Sequence, residues 1–532
     1  MDGNVTFLGE FSKKLVANTF FNFLGRCWSF ILTLLLTPFI LSHLDVHDFG
    51  TWVLMTIFIS AFNPGQVPLF DLGGVFMKYI SEYYTYEDFE SINRVLTCGL
   101  FFYSVFGIGL ISIGLLLERP LFHLLHISDS AAGAYLLVLA ASAMANISAM
   151  LLSVFKGIQR MDKSNSLEIQ LSLLNAAGTV VFLAAGWGIL GLAVNALLNA
   201  CVAVFVIWWA VQRTIPKLGK RSAFDRRLLR SMLAYGMKMQ VSSIGGLVSF
   251  QLPKLIISRF LGTATVSFYE VSSRLTLFMR ALPLVMISAL IPATSELRAR
   301  KDRNRILQTY LMASKYVAML TVAMAAFLMV EARSVLLLWL GKGFESSVLL
   351  VQILAVGYGA NILGGPASQT GAGIGRPEFD MRGTVLLTIL TPILGLGLVQ
   401  RFGAAGAAAG TCIAFLAATG YLLVAFHRNY VENSVRTVLE DIYFRPIAAG
   451  AFASLAVMGF HRVVPQLSSL EAVRYMIPIK IAADFAVFAP IYMVLLVAFR
   501  QVTALDWNNF LSLISFSAQL LRRPFRVLSD EN

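Results

Sequence analysis

Fourteen apolar runs constrain the fold of this chain more than any other feature of its sequence. They cover residues 15–41, 49–72, 95–117, 131–155, 167–187, 189–211, 231–258, 264–294, 311–330, 346–367, 383–400, 404–426, 446–461 and 475–499. A span of about 20 apolar residues crosses a bilayer, where only helices and closed barrels satisfy the backbone. Of the 532 residues only 13% are charged, against about 25% in soluble domains. The sequence therefore predicts an all-α polytopic membrane protein with about 14 transmembrane helices.

Lysine and arginine residues concentrate in every second loop between these runs. With the N-terminus in the cytoplasm, the cytoplasmic segments carry 28 of them and the opposite loops carry 7. Cytoplasmic loops of membrane proteins are rich in these residues, so both termini are predicted to be cytoplasmic. The net charge of +13 then reflects loop placement, and no nucleic-acid partner is expected.

Short sequences recur at an offset of 214 to 216 residues, which indicates an internal duplication. Gly157–Arg160 after span four matches Gly373–Arg376 after span ten, and Ser81-Glu82 matches Ser295-Glu296. The repeat predicts two pseudo-symmetric six-helix lobes, with a substrate site between them. We place the lobes at residues 1–230 and 231–430, and assign residues 431–532 to two extra helices and an amphipathic cytoplasmic tail.

Four cations lie inside the apolar runs and are candidate substrate-binding residues. They are Arg26 in span one, Lys254 in span seven, and Arg274 and Arg280 in span eight. Charges within a bilayer are costly and usually face a polar cavity. Forked arginine donors suit phosphate oxygens, so the set predicts a cavity for an anion. A structural pair with an acid on another helix is the alternative for Arg26.

Three acids inside or beside the spans are candidates for ion coupling or for pairing. Glu270 precedes Arg274 by four residues, and Asp484 follows Lys480 by four, so each acid can pair on its own helix. Asp71 follows a proline- and glycine-containing stretch where span two is expected to break. It either carries a proton during transport or lies in a loop at the cytoplasmic interface.

Motifs for catalysis or metal binding are not found in the sequence. The four cysteines lie apart in apolar segments, without the close spacing of a zinc or redox site. We therefore expect no metal, no cofactor and no enzymatic activity.

Several short sequences, in order along nearly the whole chain, resemble those of a known superfamily. They include Phe49-Gly50-Thr51-Trp52, Asp71-Leu72-Gly73, Ile291-Pro292-Ala293-Thr294-Ser295 and Leu338-Trp339-Leu340-Gly341. The chain resembles the multidrug/oligosaccharidyl-lipid/polysaccharide exporter superfamily, and within it the Wzx-type flippases of the polysaccharide transporter branch. The resemblance implies two six-helix lobes and alternating access.

The resemblance also implies a substrate and a location. The substrate would be a polyprenyl-pyrophosphate-linked oligosaccharide, a repeat unit of a polysaccharide or lipopolysaccharide O-antigen, moved to the outer leaflet of the bacterial cytoplasmic (inner) membrane. Arg26, Lys254 and Arg274 would line the cavity, and membrane lipids and polysaccharide polymerase machinery would be partners. The alternatives are a lipid II-type flippase and a cation-coupled multidrug exporter. Arg26 stands where many such exporters carry a first-span acid, which favours the flippase.

Overall fold

The chain is folded almost entirely into helices. The computed structural model describes residues 28, 31–62, 73–218, 224–431, 440–466, 470–502 and 506, without the side chains of 58–62, 238–244 and 472. The helices are α1 (Ile31–His43), α2 (Val46–Phe62), α3 (Gly73–Thr85), α4 (Phe89–Leu125), α5 (Ala132–Gly157), α6 (Met161–Ala184), α7 (Gly188–Thr214), α8 (Arg226–Leu261), α9 (Thr263–Ser288), α10 (Leu290–Ala299), α11 (Arg303–Leu340), α12 (Ser346–Leu363), α13 (Gly365–Gly373), α14 (Glu378–Tyr430), α15 (Arg445–Val463) and α16 (Ile477–Ala498). No strand occurs in these ranges, and the predicted all-α membrane fold is confirmed.

Among the described residues, ten helical segments are long and apolar enough to cross a membrane. One of them, α14, has 53 residues and contains Gly403, whose φ of 60° and ψ of −140° are not helical. The chain turns there, at the junction predicted between spans eleven and twelve. Helix α1 is a shorter apolar helix, and α2 has 17 residues. The full count of 14 spans therefore stays a prediction.

Aspartate side chains begin three of the long helices. Asp88 and Asp302 each accept a hydrogen bond from the backbone of the first turn, and Asp225 accepts two, from Leu228 and Arg227. Such caps satisfy backbone donors that have no partner within the helix. The backbone hydrogen bond from Leu228 and, to a smaller extent, the one from Arg227 hold the pKa of the Asp225 carboxyl below its usual range. These polar caps fix where α4, α8 and α11 start.

Left-handed backbone conformations recur at the offset of the sequence repeat. Each of four positions in the first half has a counterpart 214 to 216 residues later that also has a positive φ. The pairs are Glu87 with Lys301, His126 with Gly341, Gln159 with Gly375, and Gly188 with Gly403. Since positive φ is uncommon outside glycine, four matching positions support the internal duplication predicted from the sequence.

The two halves contact each other closely where α2 crosses α9. Gly50 lies so near the Thr263 carbonyl that a Cβ atom on Gly50 would be 1.9 Å from that oxygen. One turn away, Ser267 Oγ donates a hydrogen bond to the Val46 carbonyl over 2.5 Å. The backbones therefore meet without intervening side chains.

The end of α4 adds a second contact between the halves, at the end of α8. Ser258 Oγ donates a hydrogen bond to the Leu125 carbonyl, and His126 Nδ1 lies 3.2 Å from the Ser258 carbonyl oxygen. The predicted topology places both contacts at the external ends of the helices. The structure is thus closed at the end that the sequence predicts to be external.

Candidate functional site

Glu270 joins Lys254 and Arg274 at the interface of α8 and α9. Its Oε1 accepts a hydrogen bond from Arg274 Nε over 2.6 Å, and Lys254 Nζ lies 2.7 Å from Oε2. The second contact is an ion pair by distance, although Oε2 lacks a well-directed hydrogen bond. Lys254 and Glu270 are each 8% exposed. One buried carboxylate therefore holds two cations from neighbouring helices.

Arg274 also reaches the first half of the chain. Its Nη1 donates a hydrogen bond to Thr37 Oγ1 over 2.8 Å, and its guanidinium carbon lies 5.4 Å from the centre of the Phe49 ring. Thr37 belongs to α1 and Phe49 to α2. The pairing with Glu270 that the sequence suggested is present, but Arg274 in addition connects the halves.

Arg280 is buried without an acidic partner among the described residues. It is 8% exposed, and its guanidinium carbon lies 4.9 Å and 5.4 Å from the ring centres of Phe250 and Tyr358. Nη2 donates to Asn361 Oδ1 over 2.8 Å, whereas Nε has no hydrogen-bond partner. A buried, uncompensated charge is costly. Arg280 therefore has a charge without a described counter-charge and a buried donor without a hydrogen-bond partner.

The charges at this interface do not balance. Lys254, Arg274 and Arg280 are opposed by one described carboxylate, that of Glu270, which leaves a net charge of +2. We call these four residues the interface cluster; Lys254, Glu270 and Arg274 are in direct contact, whereas Arg280 lies further along α9 beside Phe250 and Tyr358. Chemically, the cluster can attract an anion and donate to its oxygens, and it offers no nucleophile or metal-ligating set.

The acid Asp484 lies in a different place from the interface cluster. Lys480 Nζ is 3.1 Å from Asp484 Oδ2, so the contact that the sequence suggested is made. The same nitrogen is 2.9 Å from Glu331 Oε2 and 3.4 Å from Glu471 Oε1. Lys480 is therefore shared by three carboxylates from three segments.

Sequence analysis missed Glu331, because it ended span nine at residue 330. Helix α11 instead continues to Leu340, and Glu331 is 0% exposed. The signal was the apolar run from residue 335 to 340, which continues the helix past the isolated charges at Glu331 and Arg333.

Several predicted functional residues lie outside the described part of the chain. Arg26 and Asp71 are among them, as is most of the amphipathic tail, so their roles stay predictions. At the start of the tail, Asp506 is described: its carboxylate is 2.6 Å from both Lys315 Nζ and Tyr316 Oη.

Replacing Glu270 with glutamine is expected to destabilise the folded protein. Lys254 and Arg274 would lose their shared counter-charge, and removing one partner of a buried pair costs about 3–5 kcal/mol. Thermal unfolding of the purified protein should show a clear fall in Tm, partly reversed by added pyrophosphate.

A matched control for this change is Glu296→Gln. Glu296 pairs with Arg300 at 2.6 Å, but both side chains are about two-thirds exposed, and surface pairs contribute only about 0–1 kcal/mol. Equal stability of the Glu270 and Glu296 variants would refute the structural role of the buried carboxylate.

Sequence comparisons relate the chain to glycan-processing membrane proteins. Residues 155–349 match the family described as polysaccharide biosynthesis protein. A curated relative, the probable low-salt glycan biosynthesis flippase Agl15 of Haloferax volcanii, is 23% identical over 368 residues, which are 68% of this chain and 73% of the relative.

Solved structures share the fold over most of the chain. The lipid II flippase MurJ in an inward closed conformation aligns with a TM-score of 0.68 and 15% identity, covering 90% of this chain and 99% of that one. An inward-facing multidrug resistance MATE transporter aligns with a TM-score of 0.63 and 18% identity, covering 80% and 96%. A transporter of the multidrug/oligosaccharidyl-lipid/polysaccharide exporter superfamily from Pyrococcus furiosus aligns with a TM-score of 0.58 and 17% identity. This alignment covers 80% of this chain and 96% of that one.

These findings confirm the resemblance predicted from the sequence: the chain is similar in sequence to a probable glycan biosynthesis flippase, and its fold is that of solved transporters of the multidrug/oligosaccharidyl-lipid/polysaccharide exporter superfamily.

Proposed function

We propose that this chain is a flippase for a polyprenyl-pyrophosphate-linked oligosaccharide. It moves the repeat unit of a polysaccharide or O-antigen from the cytoplasmic to the outer leaflet of the cytoplasmic membrane. The observation that carries the proposal is Arg280, a buried guanidinium with no described acidic partner and a free Nε donor. A pyrophosphate diester supplies the missing negative charge, and its oxygens accept from guanidinium donors.

Alternating access is the proposed mechanism, with residues 1–230 and 231–430 as the two lobes. The repeated left-handed positions support this division. Because Arg274 contacts Thr37 and Glu270 together, a bound anion would compete for the guanidinium that connects the halves. Substrate binding would thereby weaken the closure between the lobes and favour the change of state.

A lipid II-type flippase is the second candidate function. Its support is the extent of the structural match, since the lipid II flippase fold covers 90% of this chain and the drug transporter fold covers 80%. A multidrug exporter is less well supported, because a cluster with net charge +2 repels cationic drugs. Both candidate flippases would move a lipid pyrophosphate, so the two candidates differ in the glycan attached to it.

Transport can be measured directly in liposomes that contain the purified protein. With a fluorescent polyprenyl-pyrophosphate oligosaccharide in one leaflet, we expect transfer to the other leaflet, scored by access of a membrane-impermeant lectin. Lipid II in parallel liposomes tests the second candidate, and a cationic dye tests drug export.

A deletion strain provides the complementary observation. Lipid-linked intermediates should accumulate on the cytoplasmic face, and the polysaccharide polymerase, an expected partner, should lack substrate at the outer leaflet. Normal surface polysaccharide in a strain with no redundant transporter would refute the proposed function.

A further inference from the structure

A second cluster of ionisable side chains lies where α11, α15 and α16 meet. Glu331 comes from α11, His461 from α15 and Asp484 from α16. A ring nitrogen of His461 and a carboxylate oxygen of each acid all lie within 4.8 Å of one another. Glu331 and Asp484 are both 0% exposed. Lys480 Nζ lies 2.9 Å from the first carboxylate and 3.1 Å from the second.

The buried part of this cluster carries an excess negative charge. The two carboxylates of Glu331 and Asp484 face one ammonium group, that of Lys480, which leaves −1. Two close carboxylates in a low-dielectric site do not both ionise readily, and a net charge is costly within a membrane. Asp484 Oδ2 is also buried and accepts no well-directed hydrogen bond, although Lys480 Nζ lies 3.1 Å away. One additional proton would balance the charge and occupy this oxygen.

His461 connects the buried acids to the surface. Its Nε2 lies 2.8 Å from Asp484 Oδ1, and its side chain is 22% exposed. Glu471, from the turn before α16, faces Lys480 at 3.4 Å and is 20% exposed. Arg333 of α11 lies 3.6 Å from Glu471 and is 66% exposed, so these two outer charges largely offset each other. The imidazole is thus placed to pass a proton to Asp484.

From this geometry we propose that the Glu331–Asp484 pair is the proton-binding site that drives the transport cycle, with His461 as the entry point. The proposal rests on the transport function proposed above, and it specifies the coupling ion. A proton fits better than a metal ion or sodium, because the Lys480 ammonium already occupies the position between the two carboxylates. With the predicted topology, His461 accepts protons from the external side.

Contacts at the end of α11 connect this site to the closure between the lobes. Trp339 Nε1 donates a hydrogen bond to the Leu34 carbonyl of α1 over 2.7 Å. Arg474, from the segment preceding α16, donates to the Leu338 carbonyl over 2.9 Å and 3.1 Å. When the proton passes from Asp484 to Glu331, it weakens the attraction of Glu331 on α11 for Lys480 on α16, and hence the hold of α16 on α11. The helix that contacts the first lobe then moves with the proton.

The test follows the distance between the external ends of the two lobes as pH changes. Spin labels are attached to His123→Cys and Lys342→Cys, both exposed positions, in full-length protein whose native cysteines are serine. The liposomes contain no glycan substrate. We expect two distance populations whose ratio changes by up to about tenfold per pH unit, the limit for one proton.

The carboxylate variants Asp484→Asn and Glu331→Gln should each abolish this pH response. Either change removes one negative charge, so that Lys480 balances the carboxylate that remains and no additional proton is needed. His43→Gln serves as the matched control, since His43 is exposed at the end of α1. An unchanged pH response in both carboxylate variants overturns the proposal, and so does an equal shift produced by sodium at fixed pH. Because the distance measurement uses no glycan, it is independent of the flipping assay. A failed flipping assay with an intact pH response would refute the proposed glycan substrate and not the proton site.

Discussion

Replacing Arg280 with methionine is expected to slow flipping strongly while the protein still inserts and folds. Methionine is unbranched and apolar, and it can pack against the Phe250 and Tyr358 rings that now flank the guanidinium. The loss of one charge-assisted hydrogen bond to the substrate costs about 1.5–3 kcal/mol, which corresponds to roughly a 10- to 150-fold slower rate. Initial flipping rates in liposomes measure the effect.

Stability should move in the opposite direction from transport in this variant. Arg280 is buried without a described acid, so replacing it by an apolar side chain removes an uncompensated charge. We expect Tm to stay equal or to rise. Arg280→Lys should recover part of the rate, because it restores the charge without the planar fork that stacks and donates in two directions.

The matched control is Arg300→Met, which removes an exposed arginine paired with Glu296. It should flip at the rate of the unmodified protein. Full activity in Arg280→Met, with equal amounts of protein in the liposomes, would eliminate the phosphate-docking role.

The fold was largely predictable, because apolar run length and loop charge report directly on the membrane. The repeat was predictable as well, and its physical basis is visible in pairs such as His126 and Gly341. The two have different side chains, and both have a positive φ, of 54° and 84°. Short matching sequences and positive φ values at helix ends therefore identify the repeat, which the residues between these ends do not show.

Contacts within one helix could be predicted, whereas contacts between helices could not. The pairs Glu270–Arg274 and Lys480–Asp484 follow from a spacing of four residues. Nothing in the spacing places Lys254 beside Glu270 on the next helix, because that contact depends on how α8 and α9 cross. The burial of Glu331 likewise depends on the position of α15 and α16 around α11.

Charge is separated in this molecule in a way that the sequence did not indicate. Counted along the chain, the deep cations exceed the deep acids. In space, the interface cluster has a net charge of +2, and the buried pair around Lys480 has −1. Under the two proposals above, the anionic substrate and the proton bind at different sites, and each influences the other through the movement of the lobes and not by direct neutralisation.

The second large effect is expected at Gly50, where the two halves meet. A methyl group added there would lie 1.9 Å from the Thr263 carbonyl oxygen and 3.0 Å from Ser267 Oγ. Alanine at this position must therefore separate α2 from α9 at the predicted external end. Steric overpacking typically costs about 1–3 kcal/mol, which corresponds to a roughly 5- to 150-fold loss of the closed state.

Transport should fail in Gly50→Ala because alternating access requires the lobes to close on the external side in each cycle. The purified variant should shift to the longer of the two distances between labels at residues 123 and 342, and flipping should fall in proportion to the lost closed state. Gly109→Ala is the matched control, since Gly109 lies in α4 with no atom within 4 Å of an added Cβ. If Gly50→Ala flips lipid as fast as Gly109→Ala, the contact between α2 and α9 is not a closure that the cycle must form.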